Sequence, residues 1–369
     1  MDGKILKCED SPELKGLVKP NQTTRRKFWI APIFVFMALA AVTAQGQMIF
    51  TNPPPKVYGL AIHGGAGSHA DKDLSPEEAK RYHDKLQEAL NAGYARLATN
   101  GTALDAVNAA INVMENAGMF DAGKGAVLNQ AGFCEMDAGI MDGRTLATGN
   151  VGNVQHIKNP IDLARAVMEK SPHVLLAGPG AEEFALQQGF ALMPGSYFLT
   201  ERRVKQWEDL RAKQKSNTSG TSMIDWRTPE MMGTVGCVAL DQQGNLAAAT
   251  STGGTAFKLP GRIGDTPQAG AGNYANNATC AVSGTGIGEY YVRTDFGKNL
   301  SDLMEYKGLP LDAAGTEALR QLDALGGHGG CIAIDREGHV FIDFNTASMY
   351  RGFLLSDGTS DIQLFGRKQ

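Results

Sequence analysis

The chain has 369 residues, 45 of them glycine, with 43% hydrophobic residues and a formal net charge of −4. This length suits one large domain or two ordinary ones. A mildly acidic balance without a basic cluster gives no electrostatic footprint for a nucleic-acid partner. An aromatic content of 7% and the absence of internal repeats argue against a propeller or solenoid.

Residues 1–44 read apart from the rest. Arg25, Arg26 and Lys27 precede an apolar run over residues 28–44 that is broken by Pro32 and Thr43. The run has the length of a signal-peptide core and is short for a membrane span. Val42-Thr43-Ala44 offers small residues for cleavage before Gln45. Thr24-Arg25-Arg26-Lys27-Phe28 resembles a twin-arginine export signal. The expectation is therefore an exported, periplasmic protein with a cleaved leader, and the alternative is an uncleaved membrane anchor. Without the leader the chain holds 28 basic and 35 acidic residues, a net charge of −7. Cys134, Cys237, Cys280 and Cys331 would remain, none spaced as a CxxC or zinc pair. They are expected to be buried free thiols.

A strand is expected over residues 57–62, running into His63-Gly64-Gly65-Ala66-Gly67. Ser75, Pro76 and Glu78 form a capping box that opens a helix, and Thr102 with Asp105 repeats the pattern. Two further helices are expected over residues 160–170 and 181–188. Residues 201–230 carry many Lys, Arg, Gln, Ser and Thr without a sustained apolar period, so a mobile linker is expected over about 196–233. Short apolar runs at 235–241 and 245–250 flank Gln242-Gln243-Gly244 and read as a hairpin. Runs at 331–335 and 339–344 repeat it around Arg336-Glu337-Gly338, with helices expected near 295–306 and 311–325 between the two. Strands at both ends of a helical middle suggest stacked sheets between helix layers.

The boundary at Gly233-Thr234 is unusual, because a polar tail abuts the start of a core strand. If the bond before Thr234 were cut, the freed α-amino group would stand beside the hydroxyl. With an unperturbed pKa of about 7.7–8.0, it could take the hydroxyl proton near neutral pH. Gly233 would tolerate the strained backbone that such a cut demands. Taken alone, Gly-Thr before a strand is common and carries little weight.

The surroundings carry more. Gly233-Thr-Val-Gly-Cys-Val-Ala-Leu-Asp-Gln-Gln-Gly-Asn-Leu-Ala-Ala-Ala-Thr-Ser-Thr-Gly-Gly254 resembles the nucleophile region of the plant-type asparaginase and isoaspartyl peptidase family. So do Leu259-Pro-Gly-Arg-Ile-Gly-Asp265, Ala269-Gly-Ala-Gly-Asn-Tyr-Ala275 and Val282-Ser-Gly-Thr-Gly-Ile-Gly-Glu289. Upstream, His63-Gly-Gly-Ala-Gly67, Gly123-Lys-Gly-Ala-Val127, Glu135-Met-Asp-Ala138 and Ser171-Pro-His-Val174 match in the family's order.

The resemblance implies a four-layer αββα N-terminal-nucleophile (Ntn) hydrolase, cut into an α subunit (45–233) and a β subunit (234–369). The implied activity is hydrolysis of the side-chain amide of L-asparagine or of β-aspartyl peptides. Thr234 would be the nucleophile and Thr252 its hydrogen-bonding neighbour. Arg262 and Asp265 would grip the substrate's α-carboxylate and α-ammonium groups, a pairing with independent chemical sense. Thr285 and Gly286 would form the oxyanion hole, and Gly286 with Gly288 would shape the pocket. A structural sodium ion is implied in the loop 114–124, held by backbone carbonyls, along with an (αβ)₂ assembly and a small-molecule or dipeptide substrate. No catalytic metal is expected, and His63 and His328 read as packing or hydrogen-bonding residues.

Two positions depart from the family pattern. Asp121 stands where the family usually has Asn, and Met231-Met232 replace the residues common before Gly233. The rival readings are a glycosylasparaginase and an exported binding protein that has lost activity. Gly233-Thr234 and Ser251-Thr-Gly-Gly254 favour the asparaginase side.

Overall fold

The computed structural model describes residues 57–67, 74–216 and 233–366. The expected leader and its apolar run fall outside them. No helix among the described residues is long and apolar enough to cross a membrane.

Two sheets form the centre. The larger has eight strands in the order β12-β11-β1-β5-β6-β2-β3-β4. Its middle is β1 (Gly59–Ala66), β5 (Val235–Leu240), β6 (Leu246–Thr252) and β2 (Met136–Asp142), all paired antiparallel. β11 (Ser348–Leu355) and β12 (Ser360–Phe365) complete one side. β3 (Thr148–Val154) and the short β4 (Leu175–Ala177) complete the other, and these two pair in parallel. The smaller sheet runs β10-β9-β8-β7, built from β7 (Asn273–Ala275), β8 (Cys280–Gly286), β9 (Gly329–Asp335) and β10 (Val340–Phe344).

Side-chain alternation explains the layers. In β1, Leu60 and Ile62 face a core shared with helices α1 (Pro76–Ala98), α2 (Ala103–Asn116) and α3 (Pro160–Lys170), through residues such as Leu86, Leu90, Ile111 and Val167. Ala61, between them, faces the second core with Val238, Leu246, Ile332 and Ile334, where the sheets meet. In β9, Cys331 and Ala333 turn the other way, onto α6 (Gly288–Thr294), α7 (Phe296–Lys307) and α8 (Leu311–Ala324). A strand buried on both faces shows an unbroken apolar run, which is why β1, β5 and β9 were legible in the sequence. The result is the αββα stack that the family resemblance implies.

Both capping boxes form as expected. Ser75 accepts from the Glu78 N–H, and Thr102 accepts from the Asp105 N–H. The third expected helix is α3, and the fourth runs as α4 (Gly178–Gln187), starting earlier than expected. The four cysteines among the described residues, Cys134, Cys237, Cys280 and Cys331, are buried and free.

The expectation of a mobile linker over 196–233 needs correction in its first half. Gly195–Phe198 forms a 3₁₀ turn, and Glu201–Ser216 is a helix, α5. Its face is narrow: Arg203, Trp207 and Leu210 recur at helical spacing and dock where a wide apolar stripe is missing. Arg203 Nε donates to Gly125 O at 2.7 Å, and Trp207 Nε1 donates to Asn129 O at 2.9 Å. Two of the three anchors hold by hydrogen bonds to backbone carbonyls, so apolar periodicity could not reveal them. Residues 217–232 lie outside the described part.

Candidate active site

Thr234 opens β5, in the middle of the large sheet, and is buried. Its neighbour strand β6 ends at Thr252, and the β5–β6 register pairs Val235 with Ser251. The hairpin therefore brings its first and last residues together, and Thr234 Oγ1 donates to Thr252 Oγ1 at 3.2 Å. The chain is continuous here. Thr234 Oγ1 also donates to the carbonyl oxygen of Gly233, and Thr252 Oγ1 donates to the same oxygen at 2.9 Å. Thr252 in turn accepts from the Gly254 N–H at 2.8 Å. Two hydroxyls thus converge on one carbonyl, the one preceding the Gly233–Thr234 bond.

Asp121 packs against Gly233. Its Oδ1 accepts from the Val127 N–H at 2.8 Å, while its backbone carbonyl accepts from the Gly253 N–H at 3.2 Å. Burial pushes its carboxyl up to about 6, against the pull of Arg203 and Lys258.

A charged cluster sits beyond the end of β6. Arg262 makes a two-pronged contact with Glu289, Nε to Oε1 at 3.1 Å and Nη2 to Oε2 at 3.0 Å. Burial works against the Arg262 charge, but Glu289, with Asp265 and Asp137, more than offsets it and holds the guanidinium above its ordinary range. Asp265 is buried and pushed up to about 6 by desolvation, with Arg262 opposing the shift. Gly288 stands against both. A side chain there would begin 2.5 Å from Asp265 Oδ1 and 2.9 Å from Arg262 Nη2. Its lack of a side chain lets the backbone approach both charged groups closely.

Gly254, two residues past Thr252, links the two clusters. The point where its side chain would begin lies 3.2 Å from Arg262 Nη1 and 2.9 Å from Lys258 Nζ. The structure thus brings Thr234, Thr252 and Gly233 into one cluster, and Arg262, Asp265 and Gly288 into another beside it. Thr285 and Gly286, at the end of β8, stand apart from both in their hydrogen bonding. Thr285 Oγ1 accepts from the Ala66 N–H at 3.2 Å and makes no direct hydrogen bond to Thr234 in the uncut chain.

His63 is buried in β1. Its Nε2 shares a hydrogen bond with Ser283 Oγ at 2.9 Å, and Ser283 Oγ meets Thr250 Oγ1 at 2.7 Å. Burial pushes its imidazole down to about 3, so it is neutral. It is a polar tie between the two sheets, as read from sequence.

Sequence reasoning missed three groups. Glu289 occupies one edge of Arg262, although it closes a quoted motif. Glu115 is buried under β6 and accepts from Ser251 Oγ at 2.6 Å, Asn159 Nδ2 at 2.9 Å and the Ile161 N–H at 3.1 Å. Desolvation pushes it up to about 8. Lys258 is buried and donates to Glu135 O at 2.8 Å, and burial holds its ammonium below the usual lysine value. Glu115 and Lys258 sit in apolar stretches, and a charged residue in such a stretch was the available signal.

Comparisons with known proteins agree with this geometry. The asparaginase family profile matches residues 56–364. The isoaspartyl peptidase of Salmonella typhimurium is 47% identical over 297 residues, covering 80% of this chain and 94% of its own length. The isoaspartyl peptidase of Escherichia coli is 44% identical over 315 residues, covering 84% of this chain and 96% of its own. A probable isoaspartyl peptidase/L-asparaginase of Arabidopsis thaliana is 38% identical, with 84% of this chain and 99% of its own length covered. A match of this extent, on an αββα fold with a threonine at the head of a central strand, places the chain in the plant-type asparaginase and isoaspartyl peptidase family of Ntn-hydrolases.

Proposed function

We propose that the chain cuts itself between Gly233 and Thr234 and then hydrolyses the side-chain amide of L-asparagine and of β-aspartyl peptides, releasing L-aspartate. The carrying observation is the convergence of Thr234 Oγ1 and Thr252 Oγ1 on the Gly233 carbonyl. Thr234 Oγ1 adds to the Gly233 carbonyl carbon, and the hydroxyl proton passes to the Thr234 nitrogen as the C–N bond breaks. Water then splits the resulting ester, leaving Gly233 as a carboxylate and Thr234 with a free α-amine.

In the cut enzyme that amine takes the Oγ1 proton as the hydroxyl attacks the substrate carbonyl. Ammonia or an amino-acid amine leaves, and water releases aspartate from the acyl-enzyme. Thr285 and Gly286 would serve the oxyanion of this second reaction. Arg262 would meet the α-carboxylate with the edge that Glu289 leaves uncovered, where Gly254 and Gly264 stand beside Nη1. Asp265 would take the α-ammonium. The relatives' names support this substrate class over a glycosylasparaginase or a non-catalytic binding protein.

Three further readings belong to the proposal. A sodium ion would brace the loop 114–124, held by backbone carbonyl oxygens as suits a hard cation. An (αβ)₂ assembly would cover exposed Val174, Leu175 and Leu186 near the β4 edge. The leader would direct export to the periplasm, supported by its basic residues and apolar run.

N-terminal sequencing and assays on asparagine and β-Asp-Leu test the central claim. The expected result is two fragments, one beginning at Thr234, with Thr234→Ala uncut and inactive. An uncut chain with full activity would sink the mechanism.

A further inference from the structure

The loop carrying Asp121 meets the hairpin at the bond to be cut. Asp121 Cβ lies 2.6 Å, and its Oδ2 3.0 Å, from the point where a side chain on Gly233 would begin. A side chain on Gly253 would collide with Oδ1. The carboxyl is therefore wedged between two glycines, one of which owns the carbonyl under attack.

Its two oxygens are unequal. Oδ1 has the Val127 N–H at 2.8 Å and the Arg203 guanidinium at 4.0 Å. Oδ2 is buried and has no hydrogen-bond partner among the described residues. Buried carboxylate oxygens are almost always satisfied. Packing does not demand an acid here, since an asparagine fills the same space.

We propose that Asp121 is a brake on self-cleavage, its carboxylate opposing the negative charge that builds on the Gly233 oxygen as Thr234 attacks. The proposal rests on the reading of Gly233–Thr234 as the bond the chain cuts. In the tetrahedral intermediate the Gly233 oxygen carries a full charge, with the Thr252 hydroxyl as its donor. A like charge beside it, in a site shielded from water, raises the barrier. Arg203, with Lys258 and Arg202 near Asp121, offsets part of that repulsion. Asparagine would reverse the sign locally. Its amide oxygen keeps the Val127 N–H, and its N–H₂ places a donor where the unpartnered Oδ2 now faces Gly233.

The experiment follows pulse-labelled full-length chain from cell-free synthesis at pH 8, reading the loss of uncut chain on gels. Asp121→Asn is expected to shorten the precursor half-life by about tenfold or more. A soluble Asp121→Asn chain that converts at the parent rate or slower overturns the proposal. Arg203→Gln supplies the second measurement by removing the nearest counter-charge. It is expected to slow conversion severalfold in the parent and far less in Asp121→Asn. No slowing in the parent, or equal slowing in both backgrounds, overturns the proposal too. Thr234→Ala tests the underlying reading separately. If Thr234→Ala stays uncut while Asp121→Asn changes nothing, the brake fails and the cleavage reading stands.

Discussion

The hairpins β5–β6 and β9–β10 are built alike and do different things. Each turns on an aspartate whose Oδ1 accepts two backbone N–H groups. For Asp241 these come from Gln243 and Asn245 at 3.0 and 2.9 Å, and for Asp335 from Glu337 and His339 at the same distances. Each places a glycine in the left-handed region, Gly244 at φ 79° and Gly338 at φ 90°. Beyond the turn they diverge. β5 and β6 lie in the middle of the eight-stranded sheet with every residue buried, while β10 is an edge strand with none fully buried. Asp241 also reaches across to the Ala103 N–H at the start of α2, at 3.1 Å. Asp335 spends its second oxygen on His339 of its own turn, at 2.8 Å. Local chemistry makes a hairpin, but its place in the stack decides whether the open end gathers buried hydroxyls.

The largest expected effect tests the open end of β5–β6. Thr252→Val removes the hydroxyl that meets both Thr234 and the Gly233 carbonyl. Self-cleavage and turnover should each fall by about 10²–10³-fold, read by precursor half-life and kcat with circular dichroism as the folding control. If cleavage is unimpaired, proximity across the hairpin is not what activates Thr234.

Arg262→Ala sharpens the division between the clusters. Breaking a buried charged contact costs about 3–5 kcal/mol, a few hundredfold or more. kcat/KM for β-Asp-Leu should fall accordingly, while precursor conversion stays near the parent rate because no substrate takes part. Equal losses in both steps would merge the two clusters into one functional unit.

The turns themselves should differ in stability. Asp241→Ala strands three N–H groups, the one at Ala103 fully buried, and should cost about 3 kcal/mol. Asp335→Ala strands two beside solvent and should cost about 1 kcal/mol. Urea unfolding compares them, and equal costs would contradict the role given to burial.

The smallest effect is a pH term confined to the outer hairpin. The hydrogen bond and charge of Asp335 hold the His339 pKa above its ordinary value. The stabilisation is complete below the unfolded value of about 6.5 and is lost as pH rises through the folded one. With the His339 side chain 75% exposed, solvent screens the pair to less than about 0.5 kcal/mol. An NMR titration of His339 should show a midpoint above 6.5, and His339→Gln should abolish the term.

By itself the sequence determined the elements whose signal is local. Capping boxes marked α1 and α2, and unbroken apolar runs marked the strands buried on both faces. The Gly-Thr boundary and its flanking motifs pointed to Thr234 as the proposed nucleophile, because cleavage chemistry needs a particular residue at the head of a strand. Only the tertiary structure decided the rest. β2, β3 and β8 are rich in Gly, Asp, Asn and Ser, and their strand state comes from neighbours packing closely over them. α5 holds through hydrogen bonds from Arg203 and Trp207 to carbonyls some 78 residues earlier in the chain. Glu289 against Arg262, and Asp121 against Gly233, join segments that no periodicity connects. A local pattern reports what a segment can form, whereas a charge's partner depends on which distant segment folds beside it.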